Sequence, residues 1–196
     1  MGDGMSEKKF RHELKYVISA SQIPMIRNRI EHLATLDAHT GSSGSYTIRS
    51  LYFDDYDNRC YYENEDGTDP REKFRIRIYN HSTERITLEC KRKERGKTLK
   101  TSCPLTVEQT RTLMAGQVLP DIAGQPPLLQ KLTARMLLRR MRPVVIVEYE
   151  RIPYVYRDGN VRITLDMNIA SSKEVGRFMD ETIPKRPVMP SGKQLL

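Results

Sequence analysis

One short segment of the sequence carries basic side chains at every second position. In "KFRIRI", residues 73–78, cations alternate with apolar residues. The cations are Lys73, Arg75 and Arg77. Successive side chains of a β-strand point to opposite faces, so the pattern predicts a strand with one apolar and one cationic face. Because three like charges repel one another, this face either meets water or binds an anion.

Three further segments combine the same alternation with long charged side chains. They are "FRHELKYVIS" (10–19), "RITLECKRK" (85–93) and "VRITLDMNI" (161–169). The charged residues on these polar faces, together with those of the first segment, are the basic Arg11, Lys15, Lys73, Arg75, Arg77, Lys91, Lys93 and Arg162 and the acidic Glu13, Glu89 and Asp166. A solvated sheet face usually mixes neutral polar residues with charges of both signs. The excess of cations favours a closed barrel whose charged face points inward toward phosphates, where a few carboxylates could hold a divalent cation.

Composition narrows the class of protein and of partner. The chain has 196 residues and a formal net charge of +8, which suits one soluble domain with an anionic partner. No apolar run approaches the roughly 20 residues of a membrane span, and the N-terminus does not resemble a signal peptide. Three cysteines without metal-like spacing indicate reduced thiols in a cytoplasmic protein. A nucleic-acid partner is disfavoured because the cations alternate with aliphatic rather than aromatic residues.

The elements that must position these charges are mostly strands. Further strands are predicted at 45–55, 97–105 and 142–156, with "ERGK" as the turn of a hairpin. Helices are predicted at 19–34, 106–116 and 126–141, the first two starting with a capping box. We interpret Asp54 and Asp55 as residues of a strand-end turn. The pattern predicts an α+β protein built on antiparallel strands.

Six motifs together resemble a known family. They are "RHELKY", "IRSLYFDD", "GTDPREKFRIRIY", "LECKRK", "VEYERIPYV" and "VRITLDMNI". Their order and spacing resemble the VTC domain, a branch of the triphosphate tunnel metalloenzyme (CYTH-like) superfamily, over residues 9–196. The wider superfamily begins with E-x-E-x-K, whereas this chain has Arg11-x-Glu13-x-Lys15, which favours the VTC branch over adenylate cyclases and thiamine-triphosphatases.

The resemblance implies both a fold and an activity. The fold would be an antiparallel β-barrel forming a tunnel, the triphosphate tunnel fold, with flanking helices. The activity would be metal-dependent synthesis of polyphosphate from ATP, with Mn²⁺ or Mg²⁺ as cofactor and ATP, polyphosphate or other phosphate anions as partners. The alternatives are a hydrolase of tripolyphosphate or nucleoside triphosphates, and a non-enzymatic polyphosphate-binding module. A membrane-bound partner and the oligomeric state stay open.

The resemblance also assigns site residues position by position. The catalytic residues would be Arg75, Arg77 and Lys91. The residues that bind substrate would be Lys15, Arg75, Arg77, Lys91, Lys100, Arg151 and Arg162. Glu89 would be a metal ligand, although the main metal ligand of VTC domains lies on a further strand after "SGKQLL", so the resemblance implies a C-terminally incomplete domain. Strand alternation cannot place both Glu150 and Arg151 in the tunnel, and we favour Arg151.

Overall fold

The computed structural model of the chain describes residues 10–159 and 161–196, and ten strands and four α-helices lie within them. The strands are β1 (Val17–Ser19), β2 (Thr35–Leu36), β3 (Tyr46–Asp54), β4 (Arg71–Tyr79), β5 (Ser82–Glu94), β6 (Lys97–Leu105), β7 (Arg142–Tyr156), β8 (Val161–Ser172), β9 (Arg186–Pro187) and β10 (Lys193–Leu195). The helices are α1 (Ile23–Glu31), α2 (Arg59–Glu65), α3 (Val107–Met114) and α4 (Pro127–Arg139). Short 3₁₀ segments occupy Ala20–Gln22, Ala38–Ser43, Ile122–Gly124 and Val175–Arg177.

The described residues fall into two compact units. The first unit contains residues 10–13, Leu51–Arg77 and Glu84–Val144. The second contains Leu14–Ser50, Ile78–Thr83 and Val145–Leu196. The strands β3, β4, β5 and β7 contribute residues to both units.

In the first unit the strands β3, β4, β5 and β6 are hydrogen-bonded neighbours in that order. The predicted hairpin around "ERGK" is confirmed, because β5 and β6 pair antiparallel up to Glu94 opposite Lys97. Arg95 and Gly96 close it with φ of 49° and 73°, which is the left-handed geometry of a tight hairpin turn.

The apolar side of β4 is buried as the alternation predicts. Phe74 and Ile76 are at most 1% exposed, and Leu129 and Leu132 of α4 are fully buried. Burying each such side chain stabilises the fold by roughly 1.5–3 kcal/mol. This burial fixes the face of β4, so that its alternate residues, the cations, must point the other way.

In the second unit the strand order is β1, β10, β8, β7 and β3, with β2 pairing to β7 and β9 to β8. The pairs β1–β10, β10–β8, β2–β7, β7–β8 and β8–β9 are all antiparallel. A core cluster packs α1 and the segment after it against these strands. Its buried members are Ile18, Ile30, Ala34, Ile152, Tyr154 and Leu165.

The strand β8 contains one more residue than β7 over part of their shared length. Glu148 lies opposite Ala170, whereas Glu150 lies opposite Met167, so two steps along β7 match three along β8. Asn168 has φ of 54°, a conformation that asparagine tolerates better than most residues. This β-bulge interrupts the plain alternation that the sequence pattern assumes.

The predicted α+β class with mostly antiparallel strands and flanking helices is confirmed. Within each unit the strand order is open, so the word barrel describes the sheet only approximately. The long first strand predicted over residues 10–19 is wrong, because Arg11 forms an isolated bridge to Thr98 and β1 begins only at Val17. Residues 12–16 are exposed, and alternation alone cannot supply the neighbouring strand that a longer ladder requires.

Candidate functional site

Three cations of the first unit converge on one buried carboxylate. Glu89 on β5 is 2% exposed. Arg75 on β4 donates from Nε and Nη2 to Glu89 Oε2 at 2.8 and 2.7 Å, and Arg77 Nη1 lies 3.7 Å from the same oxygen. Lys100 on β6 donates to Oε1 at 2.7 Å. The structure therefore brings these three cations and Glu89 into one cluster, and their predicted roles in binding substrate stay predictions.

Strand register explains why these side chains meet. Arg75 and Arg77 are two residues apart on β4 and share a face. On the β5–β6 hairpin Lys91 lies directly opposite Lys100, so Glu89 is the diagonal neighbour of Lys100 and within reach of its long side chain. The backbone pairing of β4, β5 and β6 therefore positions these four side chains.

The pKa of Glu89 is determined by the cations around it. Burial by itself would raise the pKa of this carboxyl, but Arg77, Arg75 and the hydrogen bond from Lys100 lower it to about 2. Glu89 is therefore ionised at any physiological pH and supplies one negative charge to three positive ones. An arrangement of this kind attracts further anions.

Tyr52 on β3 holds Arg75 from a second side. Arg75 Nη1 donates to the Tyr52 hydroxyl at 3.0 Å, and the guanidinium carbon lies 5.8 Å from the centre of the tyrosine ring. Lys73 lies on the same face of β4, half-buried, and burial is the main cause that lowers its pKa. The cationic face of β4 is thus largely withdrawn from water, in contrast to an ordinary solvated strand face.

Lys91 and Lys15 differ from these residues in their surroundings. Lys91 Nζ lies 2.5 Å from Glu13 Oε2, and both side chains are about a third exposed, at 32% and 39%. Lys15 belongs to the second unit, where it is exposed and lies outside any strand. The predicted roles of both residues in binding substrate stay predictions.

Arg151 and Arg162, the remaining predicted cations, lie in the second unit with carboxylate partners. Arg151 donates from Nε and Nη2 to the two oxygens of Asp166, at 2.7 Å each. Arg162 Nη2 donates to Asp37 Oδ2 at 2.5 Å. Both arginines act electrostatically on the half-buried Tyr46, whose pKa is raised chiefly by burial and lowered in part by them. The prediction that they face the same channel as Arg75 remains untested.

The second unit also contains a buried charge cluster that the sequence analysis missed. Arg49 of β3 is 1% exposed and donates to Glu148 Oε2 at 2.5 Å, while Lys185 and His81 contact the same carboxylate. Arg49 also donates to the backbone carbonyls of three residues after β8. They are Phe178, Asp180 and Glu181. The available signal was a single basic residue within the predicted strand 45–55, and its hydrogen bonds anchor this segment.

A metal site is not apparent in the described part of the chain, where no three His, Cys, Asp or Glu side chains group as ligands would. Both oxygens of Glu89 already accept hydrogen bonds from cations. The described residues therefore show no complete set of ligands for a divalent ion, and the assignment of Glu89 as a metal ligand stays a prediction. Cys60, Cys90 and Cys103 are all free thiols. None of the described helices is both long and apolar enough to cross a membrane.

Comparison with known proteins identifies the family. The model of the VTC domain matches residues 10–196. A candidate adenylate cyclase from Bacillus halodurans is similar in structure, with a TM-score of 0.52 and 16% identity over 83% of this chain and 74% of that one. A candidate adenylyl cyclase from Hippeastrum, described as having a dominant triphosphatase activity, matches with a TM-score of 0.46 and 12% identity over 81% and 70% of the two chains. No curated protein sequence matches significantly.

The Bacillus structure supports the fold alone at this identity, and it confirms the triphosphate tunnel fold that the motifs predict. The family model covers nearly the whole chain and contains the strands of both charged clusters. This chain belongs to the VTC domain family.

Proposed function

We propose that this VTC domain binds the linked phosphates of ATP and polyphosphate through Arg75, Arg77 and Lys100, and that it lengthens polyphosphate with phosphoryl groups from ATP. The observation that carries the proposal is the convergence of these three cations on Glu89, which is 2% exposed. Arginine suits the task because its planar fork donates to two phosphate oxygens at once.

The chemistry asks little of the protein besides position and charge. Phosphoryl transfer builds negative charge on the oxygens of the transferred group, and fixed cations stabilise that charge. Arg75 is oriented in advance by Glu89 and Tyr52, so that it need not reorganise when a phosphate arrives. In this proposal Arg75, Arg77 and Lys91 stabilise the transition state, and Glu89 positions Arg75.

The other predicted cations enter the proposal as further phosphate contacts. They are Lys15, Arg151 and Arg162. Arg151 and Arg162 already donate to Asp166 and Asp37, so a phosphate must compete with these carboxylates. Mn²⁺ or Mg²⁺ is expected to accompany ATP, but the proposal gives the ion no ligand among the described residues. We expect the reaction to take place in the cytoplasm, with no nucleic-acid partner.

The test is synthesis of polyphosphate, followed by gel separation of the chains after incubation with ATP and either Mn²⁺ or Mg²⁺. Arg75→Ala is expected to lower the rate by a factor on the order of 10², as for the loss of one group that stabilises transition-state charge. The matched control is Arg111→Ala, which removes an exposed arginine of α3. Equal rates for wild type and Arg75→Ala would remove this arginine from the mechanism.

The same assay separates the alternative activities. Release of inorganic phosphate without longer chains would identify a hydrolase. Binding of tripolyphosphate with neither product would identify a binding module. Binding itself is measured as a rise in melting temperature at low salt, since a ligand at 100 times its Kd stabilises the fold by about 2.7 kcal/mol. Absence of any shift would overturn the proposed site.

A further inference from the structure

A second concentration of basic side chains lies in the first unit, on the opposite face of β4. Glu72 and Phe74 alternate with Lys73 and Arg75 and therefore point away from the Glu89 cluster. They line a cleft of about 260 Å³ together with residues of α2, β5 and α4. Nothing in the proposed function uses this cleft.

Positive charge predominates in the lining of the cleft. It contains six cations and three carboxylates. The cations are Arg59, Arg71, Arg92, Lys131, Arg135 and Arg139. The carboxylates are Asp55, Glu63 and Glu72. The excess of three positive charges makes the cleft attractive to an anion.

Two of the three carboxylates already have partners within the cleft. Glu72 contacts Lys131, lies 3.4 Å from Arg135 and lies 3.9 Å from Arg92. Its pKa is lowered, because these three cations outweigh the effect of burial. Asp55 is 5% exposed; one of its oxygens accepts backbone N–H groups near the start of α2 at 2.9 and 3.2 Å, and the other lies 3.7 Å from Arg59 Nε. Both carboxylates therefore already balance cations of the cleft, and neither forms an ion pair with the remaining two.

The helix α4 presents three of the six cations at a spacing of four residues. Lys131, Arg135 and Arg139 lie one above another on the helix surface, where their like charges repel one another. Glu72 forms ion pairs with Lys131 and Arg135, whereas Arg139 is exposed and has no ion pair in the described residues. Arg139 lies in the last turn of α4, where a cation stabilises the helix dipole, and its charge is also available to a ligand in the cleft.

We propose that this cleft is a second anion site, which takes a ligand with several linked phosphates. The cations surround a volume slightly below that of a typical small-molecule pocket, which suits a short run of phosphates. The chemistry is shared by two sources, a segment of polyphosphate chain and a free multiply phosphorylated small molecule. Either ligand would neutralise Arg139 and the cations on the opposite wall.

The test is calorimetric titration of the full chain with tripolyphosphate at low salt. All variants are made in a protein that already contains Arg75→Gln, which weakens phosphate binding at the Glu89 cluster. In that background Lys131→Gln/Arg139→Gln is expected to weaken tripolyphosphate binding about tenfold, since two charge contacts of about 0.7 kcal/mol each are lost. The matched control is Arg111→Gln/Lys173→Gln, which removes the same charge from exposed positions outside the cleft.

Equal affinity in the cleft variant and in its control would overturn the second site. Arg139→Gln alone, which breaks no ion pair, is measured in parallel in case the double variant unfolds, and it must weaken binding severalfold. If Arg75→Gln leaves binding intact while the cleft variant abolishes it, the second site stands and the proposed function fails. If the cleft binds long polyphosphate more tightly than tripolyphosphate, its ligand is a segment of polyphosphate. If it binds tripolyphosphate more tightly, its ligand is a compact phosphorylated molecule.

Discussion

Arg151 and Asp166 lie directly opposite each other on β7 and β8, and two parallel hydrogen bonds of 2.7 Å join the guanidinium to the carboxylate. Burial alone would lower the pKa of Arg151, but the hydrogen bonds to Asp166 raise it above its ordinary value. Arg75 differs, because it shares a single carboxylate with two other cations. Arg75 and Arg151 are both predicted to contact phosphate, but the charge of Arg151 is balanced by a carboxylate of its own and that of Arg75 is balanced only in part.

Asp166→Asn is expected to release Arg151 for phosphate. If Arg151 contacts substrate, tripolyphosphate should bind about tenfold more tightly, because the charged hydrogen bonds no longer compete. The free energy of unfolding should fall by roughly 1–3 kcal/mol, since one partner of a partly buried pair is lost. Calorimetric titration measures the first effect and urea unfolding the second. Asp158→Asn in the exposed turn is the control, and unchanged affinity would exclude Arg151 as a ligand.

Glu89→Gln should weaken the fold and at the same time increase its response to phosphate. Removing the buried carboxylate leaves Arg75, Arg77 and Lys100 without their shared counter-charge, which costs on the order of 3–5 kcal/mol. A bound tripolyphosphate restores that charge, so its effect on melting temperature should exceed that in wild type. The control is Glu65→Gln, an exposed residue of α2. A smaller ligand effect in Glu89→Gln would argue against phosphate at this cluster.

The stability of the protein should fall in acid through Glu89. Its pKa is held at about 2 in the folded chain, below the ordinary 4.5, so the unfolded chain binds this proton more tightly. The contribution of Glu89, about 3 kcal/mol, is complete above pH 4.5 and is lost as the pH falls toward 2.

Glu72 and Glu148 also have lowered pKa values and add to the same acid transition. Urea unfolding at a series of pH values should therefore show a shallower dependence between pH 4.5 and 2 for Glu89→Gln than for wild type. Parallel curves would show that Glu89 does not titrate in this range.

Arg49→Lys should destabilise the second unit without any direct effect on ligands. The guanidinium donates hydrogen bonds to Glu148 and to three backbone carbonyls at once, and a lysine cannot reproduce this planar set of donors. We expect a loss of about 3 kcal/mol in the free energy of unfolding, as for other broken buried pairs. Arg29→Lys on the exposed side of α1 provides the comparison, and similar values for the two variants would contradict the anchoring role.

Local alternation was enough to predict the face that β4 presents. Phe74, Ile76 and Ile78 are at most 1% exposed, and Arg75 and Arg77 meet Glu89 on the other side. The capping box of α3 was equally visible, and Gln109 N donates to Thr106 Oγ1 at 3.1 Å. Both signals depend on residues close in the chain, so the sequence contains all the information they need.

Helix α2 was not predicted, because its start depends on a residue of the preceding strand. Asp54, interpreted as part of a strand-end turn, accepts backbone N–H groups from Cys60 and Tyr61 at 2.8 and 3.1 Å. That spacing is longer than the usual cap, and the helix lacks a clear apolar stripe. Partners that are distant in sequence, such as Asp37 for Arg162, depend on the folded chain and have no local signal.

The extra residue of β8 has a consequence for how this family can vary in length. Before Asn168 the odd-numbered side chains, such as Leu165, face the core, whereas after it Ser172 is the buried one. Substitution at the exposed Asn168 leaves both halves of the strand facing as they do. Deletion of this single residue would instead invert one half and expose its apolar side chains. Related chains should therefore have asparagine, aspartate or glycine at this position, which tolerate its positive φ, and neither a gap nor a second insertion.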